Sequence, residues 1–266
     1  DHQVVYYKGL GYADEKTKKP MAANALYRIM SQSKAITSLA IMQLYEQGKL
    51  NLDDNLSKYI SSFKNPKVIN EYNAKDTSYT TVDAKREITI RDLLTHQSGI
   101  SSADEYPYLQ KEFVKYGLSN EGFNQYPSLS AEIAQIAKMP LAHQPGTRFS
   151  YGLSTNVLGG LIELITKQSL SKYLADHIFK PLGMEDTYFY LPKSKHNRLV
   201  EIYVKQDNRL IAADRTKMPV DYPLLNNATY FSAIGGLVST TKDYFLFLNH
   251  LLNPTMSKST FRLLQS

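Results

Sequence analysis

The sequence predicts an α+β fold, with strands toward both ends of the chain and helices between them. Val and Tyr, which favour strands, are frequent in residues 3–12 and around residues 188–190 and 200–204. Apolar residues run almost without charge over residues 35–44, and they recur with helical spacing over residues 154–167. Strands that gather at the two ends, rather than alternating with helices, favour α+β over repeated βαβ units.

The first third of the chain alternates short predicted elements with loops. Residues 3–12 predict a strand pair or a strand with a turn, and the charged residues 13–20 predict a hairpin-like loop. A helix is expected to begin near Ser31 and to end at Gly48, because glycine commonly ends helices. Residues 61–85 are polar and show little periodicity, so we expect a long surface loop there.

Capping residues locate most of the remaining helices. Thr89 and Asp92 have the spacing of a capping box, Ser169 is a typical N-cap residue, and Thr240 precedes Asp243 by the same three positions. Helices are expected at residues 90–96, 130–138, 154–167, 170 to about 181, and 244–252. Extended segments are expected within residues 187–221. The pattern of residues 101–128 does not favour any one structure.

Ser31 and Lys34 are the candidate catalytic pair, because they stand three residues apart at the start of the long apolar helix. Residues at i and i+3 lie one turn apart on the same face, so Ser31 Oγ and Lys34 Nζ can meet. The first N–H groups of a helix lack intrahelical partners and point outward at the same place. A nucleophile, a base and oxyanion donors could thus come from one turn. The alternative is an ordinary helix cap followed by a solvated lysine, which the bare spacing would favour.

The chemistry explains why these residue types matter. A serine hydroxyl is a weak nucleophile until a base removes its proton. Lysine has a reference pKa of about 10.4, and burial on an apolar helix lowers it because desolvation penalises the ammonium. Lys34 is therefore the candidate base for Ser31.

The composition argues against several other classes of protein. The chain has 266 residues and a net charge of +6, but Lys and Arg are scattered, which favours an ordinary surface over nucleic-acid binding. Without cysteine there is no disulfide, thiol nucleophile or Cys-ligated metal. The histidines lack metal-binding spacing and no nucleotide-binding glycine motif occurs, so no metal and no cofactor are expected. No apolar run is long enough to span a membrane. No signal peptide is recognised, and we expect the natural start to lie upstream.

Tyr151 is a further candidate, because it lies on a turn just before the helix predicted at residues 154–167. A tyrosine there can present its hydroxyl to a site, although a buried ring with a satisfied hydroxyl is the simpler interpretation of this segment alone. His96 and Ser98 lie two residues apart, a spacing at which a Ser–His pair rarely aligns, so His96 is interpreted as structural. The absence of a Gly-x-Ser-x-Gly motif counts against an α/β-hydrolase.

Six segments with a consistent order and spacing carry a resemblance to a known family. They are YRIMSQSKAIT, LYEQGKLNLDD, ITIRDLLTHQSGI, HQPGTRFSYGLSTNVLGGLIE, IFKPLGMEDT and AIGGLVSTTKDYFLF. Together they resemble the class C β-lactamase family, which also includes D-alanyl-D-alanine peptidases, D-aminopeptidases and esterases. The resemblance runs from about Val4 to the end of the chain.

The resemblance implies roles for three residues: Ser31 is the acylated nucleophile, Lys34 its partner base, and Tyr151 the tyrosine of the family's second motif. It also implies a β-lactamase/transpeptidase-like fold, in which an antiparallel sheet flanked by helices lies beside a mainly helical region, with the site between them. We therefore expect a discontinuous sheet region at residues 1–27 and 188–266 and a mainly helical region at residues 28–187. A periplasmic or secreted location is favoured by the resemblance alone.

Two departures from the family pattern bear on the substrate. The second motif is often Tyr-x-Asn, whereas it reads Tyr151-Gly152-Leu153 here. Leu153 occupies the position of that Asn and is therefore the predicted substrate-binding residue. A leucine cannot make the amide contacts that Asn makes to a substrate carbonyl, and the variant Tyr-x-Leu resembles the esterase and transesterase branch. The third motif, Lys-Thr-Gly or His-x-Gly on a C-terminal strand, does not occur before Ser266. We expect that strand to lie beyond this residue, or another segment to replace it.

The sequence thus predicts a serine acyl hydrolase that acts on a small-molecule acyl substrate through an acyl-enzyme. An esterase is the leading interpretation, and a β-lactamase or D-alanyl-D-alanine carboxypeptidase is the alternative within the family. A non-catalytic ligand-binding or sensor domain is the alternative from another class. No nucleic-acid partner is expected, and the sequence leaves the oligomeric state open.

Overall fold

Helices and short antiparallel strand pairs make up the chain in a computed structural model that describes residues 4–119, 126–215, 220–226, 228–252 and 255–265. The helices are α1 (Ser33–Glu46), α2 (Ile90–Leu94), α3 (Gln110–Tyr116), α4 (Leu129–Ile136), α5 (Ser154–Thr166), α6 (Leu170–Leu174), α7 (Lys180–Leu182), α8 (Thr241–Leu252) and α9 (Lys258–Gln265). The strands are β1 (Tyr12–Asp14), β2 (Lys19–Pro20), β3 (Tyr27–Arg28), β4 (Lys67–Tyr72), β5 (Tyr79–Asp83), β6 (Tyr203–Gln206), β7 (Arg209–Ala212) and β8 (Val238–Ser239). The predicted α+β class is confirmed.

The described strands form four antiparallel pairs: β1 with β2, β3 with β8, β4 with β5, and β6 with β7. The pair β3–β8 is the one that positions the candidate site. It sets Tyr27 opposite Ser239 and Arg28 opposite Val238. The residues just before Ser31 are thereby fixed to a segment near the other end of the chain.

Helix α1 is the centre of the core, because apolar residues cover most of its faces. Its residues Ile36, Leu39, Ala40, Ile41 and Leu44 are fully buried, and the helix packs against α5, α6 and α9. Gly48 follows with a φ of +68°, a left-handed conformation that glycine adopts without strain. The predicted end of this helix is confirmed.

A 3₁₀ turn over Met30–Gln32 precedes α1, so Ser31 lies just before the α-helix rather than inside it. Met30 has a φ of +45°, a conformation uncommon for a residue with a side chain. The chain bends sharply here between β3 and α1. Ser31 is left exposed at the bend, whereas Ser33, two residues later, is buried.

The predicted capping box is present at α2. Thr89 Oγ1 accepts from the backbone N–H of Asp92 at 3.2 Å, and the Asp92 carboxylate accepts from the N–H of Thr89 at 2.8 Å. The helix ends at Leu94, two residues before the predicted end, and His96 lies beyond it with a φ of +53°. This left-handed residue turns the chain toward the candidate site.

Two sequence predictions were wrong. Residues 61–85 contain the hairpin β4–β5 instead of a long loop; most of its residues are exposed, so the strands lack the apolar alternation that would identify them. The strand predicted over residues 3–12 is absent from residues 4–11, where Val5 is 95% exposed, and β1 begins only at Tyr12. Residue 3 lies outside the described residues.

The helix predicted from residue 170 to about 181 is formed by α6, one π-helical turn at Ala175–Phe179, and α7. Among the described residues, no helix combines the length and apolar character needed to cross a membrane. The division into a sheet region at residues 1–27 and 188–266 and a helical region at residues 28–187 stays a prediction.

Candidate active site

Three side chains predicted from the sequence meet at the start of α1. The hydroxyl of Tyr151 lies 2.6 Å from Ser31 Oγ, and Lys34 Nζ donates to Ser31 Oγ at 3.1 Å. Lys34 Nζ also lies 4.7 Å from the centre of the Tyr151 ring. The serine hydroxyl therefore contacts two groups that can exchange protons with it.

The backbone of the loop that follows α2 positions Tyr151. Ser101 Oγ donates to the carbonyl oxygen of Tyr151 at 3.4 Å, and the Oγ of Ser150, which precedes Tyr151, donates to Ser101 Oγ at 2.6 Å. Gly152 packs directly on this loop, since a Cβ there would come within 2.5 Å of the Ser101 backbone and 2.7 Å of the Ile100 carbonyl oxygen. Because only glycine permits this approach, the turn holds Tyr151 against the loop and just ahead of α5.

A backbone carbonyl helps to hold the Lys34 side chain in place. Lys34 Nζ donates to the Ile234 carbonyl oxygen at 2.8 Å. The same segment contacts α1 twice more, through Thr37 Oγ1 to the Ala233 carbonyl at 3.2 Å and through the Leu237 N–H to Ser33 Oγ at 3.3 Å. Residues 233–237, which we call the site turn, therefore line the side of α1 that carries Lys34.

The surroundings lower the pKa of both groups that can exchange a proton with Ser31. Burial lowers the pKa of Lys34, and Tyr151 partly offsets that effect. Burial by itself would raise the pKa of Tyr151, but hydrogen bonds from Lys34 and Ser31 and the Lys34 charge together lower it. Each group influences the pKa of the other. At a given pH, the lowered pKa values increase the fraction of each group that can accept a proton from Ser31.

His96, interpreted from sequence as structural, lies against the candidate site. Its ring stacks on Tyr151 with centroids 5.2 Å apart and an interplanar angle of 21°. The ring of Phe149, which is 60% exposed, also lies beside it, with ring centroids 5.7 Å apart. Burial and the charge of Lys34 lower the pKa of His96 to about 4. The imidazole is thus neutral at pH 7, and a second cation is kept away from Lys34.

Leu153, the predicted substrate-binding residue, is 0% exposed and belongs to the main hydrophobic core. It precedes the first residue of α5. Its side chain offers no surface to a substrate in this arrangement, so direct contact would require this end of the helix to open. Its role in substrate binding stays a prediction.

The described residues contain no cluster of three His, Cys, Asp or Glu side chains that could hold a metal ion. The chemistry available at this place is that of a serine hydroxyl beside a coupled lysine and tyrosine. That arrangement suits nucleophilic attack on an acyl carbon, with proton transfer between neighbouring side chains.

Comparison with known proteins identifies the family. A family model described as Beta-lactamase matches residues 1–265. The chain belongs to the Beta-lactamase family. Protein Rv1367c of Mycobacterium tuberculosis (strain ATCC 25618 / H37Rv) is 32% identical over 244 residues, which are 91% of this chain and 58% of that protein.

Solved structures give the same result for the fold of this Beta-lactamase family member. EstCE1, described as a hydrolase with promiscuous acyltransferase activity, superposes with a TM-score of 0.80 at 25% identity, over 94% of this chain and 65% of its own. An octameric penicillin-binding protein homologue from Pyrococcus abyssi superposes with a TM-score of 0.73 at 26% identity, over 98% of this chain and 53% of its own. The predicted β-lactamase/transpeptidase-like fold is confirmed, and the chain spans little more than half the length of the curated relative Rv1367c.

Two features of the site were not predicted from the sequence. The Ile234 carbonyl that binds Lys34 belongs to the backbone, so no residue type marks it; the AIGGL segment signals only that the region resembles the family. The stacking of His96 on Tyr151 depends on a left-handed turn at a non-glycine residue, which side-chain chemistry does not reveal.

Proposed function

We propose that this chain is a serine acyl hydrolase that works through an acyl-enzyme at Ser31 and prefers carboxylic esters. The observation that carries the proposal is the pair of contacts to Ser31 Oγ, from Tyr151 OH at 2.6 Å and from Lys34 Nζ at 3.1 Å. A nucleophile and base within hydrogen-bond distance, with the base oriented by a third group, is the arrangement that activates a serine.

The proposed reaction proceeds in two balanced steps. In the first, Ser31 Oγ forms a bond to the acyl carbon while its proton passes to the Lys34–Tyr151 pair, and the ester C–O bond breaks as the pair returns that proton to the departing alkoxide. In the second, a water oxygen forms a bond to the acyl carbon while the pair accepts a proton from that water. The bond between the acyl carbon and Ser31 Oγ then breaks, and the pair returns the proton to Ser31 Oγ as the acid leaves. The N–H of Ser31 is our proposed oxyanion donor, because it lies in the turn that opens the helix.

The ester preference rests on the residue that follows the second-motif tyrosine by two positions. Leu153 carries no amide and its side chain is buried, so this position presents no hydrogen-bond donor to the carbonyl that flanks the reacting bond in penicillins and acyl-D-alanines. A buried polar group left without a partner costs about 1–3 kcal/mol, whereas a simple acyl ester loses nothing. The likeness to EstCE1 supports this assignment.

The alternative within the family is a β-lactamase or a D-alanyl-D-alanine carboxypeptidase, which the likeness to the penicillin-binding protein homologue supports. A non-catalytic ligand-binding domain is the alternative from another class.

A side-by-side assay separates the three functions. The substrates are p-nitrophenyl butyrate, a chromogenic cephalosporin and a D-alanyl dipeptide, with the Ser31→Ala variant as the background control. We expect kcat/KM for the ester to exceed the value for the cephalosporin by at least tenfold. A preference for the cephalosporin or dipeptide contradicts the ester assignment. Rates equal to those of Ser31→Ala on all three contradict an enzymatic function on these classes.

A further inference from the structure

One buried side chain, that of Asn156, binds the backbone of the site turn. Asn156 lies in the first turn of α5 and is 0% exposed. Its Oδ1 accepts from two consecutive backbone N–H groups, those of Ala233 at 2.9 Å and Ile234 at 3.2 Å. The carbonyl of the same Ile234 accepts from Lys34 Nζ at 2.8 Å. Ile234 therefore links the two side chains, since its N–H is bound by Asn156 and its carbonyl is bound by the charged end of Lys34.

Two further buried groups orient the Asn156 amide. Its Nδ2 donates to Glu132 Oε2 at 2.9 Å and to Tyr230 OH at 3.0 Å, and Tyr230 OH donates to Glu132 Oε2 at 2.8 Å. Glu132 is 0% exposed. A carboxylate accepts hydrogen bonds only, so it draws the NH₂ group of Asn156 toward itself and turns Oδ1 toward the site turn. The orientation of the amide follows from this network.

Burial and the Glu132 charge raise the pKa of Tyr230 well above its ordinary value. Tyr230 therefore keeps its proton and remains the second donor to the Glu132 carboxylate. A buried network with its hydrogen bonds made is rigid, and a half-made one is costly. Such a network suits a role in fixing a backbone segment to within a fraction of an ångström, which proton transfer at Ser31 requires.

We propose that Asn156, oriented by Glu132 and Tyr230, is a positioning residue that sets the place of Lys34 by holding the backbone of Ala233 and Ile234. The assignment rests on the proposed function, in which Lys34 belongs to the proton-transferring pair. Asn156 is 0% exposed, and its amide contacts Glu132, Tyr230 and the site turn rather than Ser31. It acts through the Ile234 carbonyl, which favours the protonated form of Lys34 as long as it remains within hydrogen-bond distance.

The test compares four proteins: wild type, Asn156→Asp, the double variant Asn156→Asp/Glu132→Gln, and Leu161→Ala. Asn156→Asp keeps the acceptor oxygen but sets two carboxyl groups against each other. The double variant restores a donor opposite an acceptor, because the glutamine amide introduced at position 132 donates to the carboxylate introduced at position 156. Leu161, fully buried on another turn of α5, is the matched control for a loss of stability alone. All four are assayed with p-nitrophenyl butyrate, with rates normalised to sites titrated by a fluorophosphonate.

We expect Asn156→Asp to lower kcat per titrated site at least tenfold and to move the ascending limb of the pH profile of kcat/KM by about half a unit or more. The double variant should return both to within about threefold and about 0.2 unit of wild type, as rescue of the donor–acceptor pairing requires. Leu161→Ala should lower the melting temperature and leave both quantities unchanged.

The positioning role is overturned if Asn156→Asp behaves like Leu161→Ala, with a lower melting temperature and an unmoved pH limb. It is also overturned if the folded double variant shows no recovery. Failure of the proposed function has a different signature, since a wild-type protein that the fluorophosphonate does not label at Ser31 fails before any variant is compared.

Discussion

The hydroxyl of Tyr151 lies 2.6 Å from the Oγ of Ser31, although 120 residues separate the two in sequence. One comes from the turn before α5 and the other from the turn before α1. These two helices pack directly against each other. The core therefore fixes the distance between the two hydroxyls, and neither depends on a mobile surface segment for its place.

Removing either proton-exchanging group should abolish most turnover without unfolding the protein. We expect Tyr151→Phe and Lys34→Met each to lower kcat/KM for p-nitrophenyl butyrate by about 10²- to 10⁴-fold, the range that general acid–base catalysis contributes. Lys49→Met, at an exposed lysine, is the matched control and should keep the wild-type rate. Folded variants with near-normal rates would show that Lys34 and Tyr151 do not carry the proton.

The pH profile should report the coupling between these two groups. In wild type, kcat/KM is expected to rise as the pair loses a proton, with an ascending limb below the ordinary tyrosine pKa of 10.0, because Lys34 lowers the pKa of Tyr151. In Lys34→Met the ammonium is gone, so the pKa of Tyr151 rises and the residual activity should need higher pH. A limb at the same pH in both proteins would contradict the coupling.

Gly152 should be intolerant of any side chain. A Cβ at this position would meet the Ser101 backbone at 2.5 Å, and backbone cannot move aside as a side chain can. We expect Gly152→Ala to displace Tyr151 and lower kcat about 10²-fold, the cost of a misplacement near 1 Å. Gly48→Ala, where nothing lies within 4 Å of the added Cβ, should lose some stability because of its positive φ and keep its activity per folded molecule.

Leu153→Asn should be costly for stability, because the side chain is fully buried. Burying an amide that lacks partners costs about 1–3 kcal/mol of unfolding free energy. The shape-conserving Leu153→Met should cost less than about 1.5 kcal/mol. Urea unfolding of both variants measures the difference. A Leu153→Asn protein as stable as wild type, with a shifted ester-to-cephalosporin ratio, would show instead that position 153 reaches the substrate.

His96 should make the folded protein sensitive to mild acid. Its pKa is lowered from 6.5 to about 4 in the folded state, so between these values the unfolded chain binds more protons than the folded one. The stability that neutral His96 provides is present above pH 6.5 and is lost as the pH falls toward 4. We expect the melting temperature of wild type to fall more steeply from about pH 6.5 to about pH 4.5 than that of His96→Phe. Parallel slopes would contradict this assignment.

The sequence predicted those parts of the fold that local patterns encode. The apolar run of α1, the capping box at Thr89 and the left-handed glycine at position 48 each act within a few residues, and each was found where expected. The hairpin β4–β5 was missed because exposed strands lack apolar alternation. No strand forms over residues 4–11, because a strand requires long-range pairing and a local preference for Val and Tyr cannot establish it.

The candidate site divides in the same way. Ser31 and Lys34 are one turn apart, so their contact follows from helix geometry. The turn before a predicted helix and the family resemblance both single out Tyr151, but only packing brings it to the serine. The hydrogen bond from Lys34 to the Ile234 carbonyl joins residues 200 positions apart through the backbone, and no side-chain pattern encodes it.

Covalent labelling of Ser31 tests its proposed role as the nucleophile most directly. The folded protein is treated with a fluorophosphonate, and the peptide that contains residues 27–34 is examined by mass spectrometry after digestion. We predict one adduct per chain, located on Ser31, absent from Ser31→Ala and formed much more slowly in Tyr151→Phe. An adduct that persists in Ser31→Ala, or that maps to another serine, would contradict the assignment of Ser31 as the nucleophile.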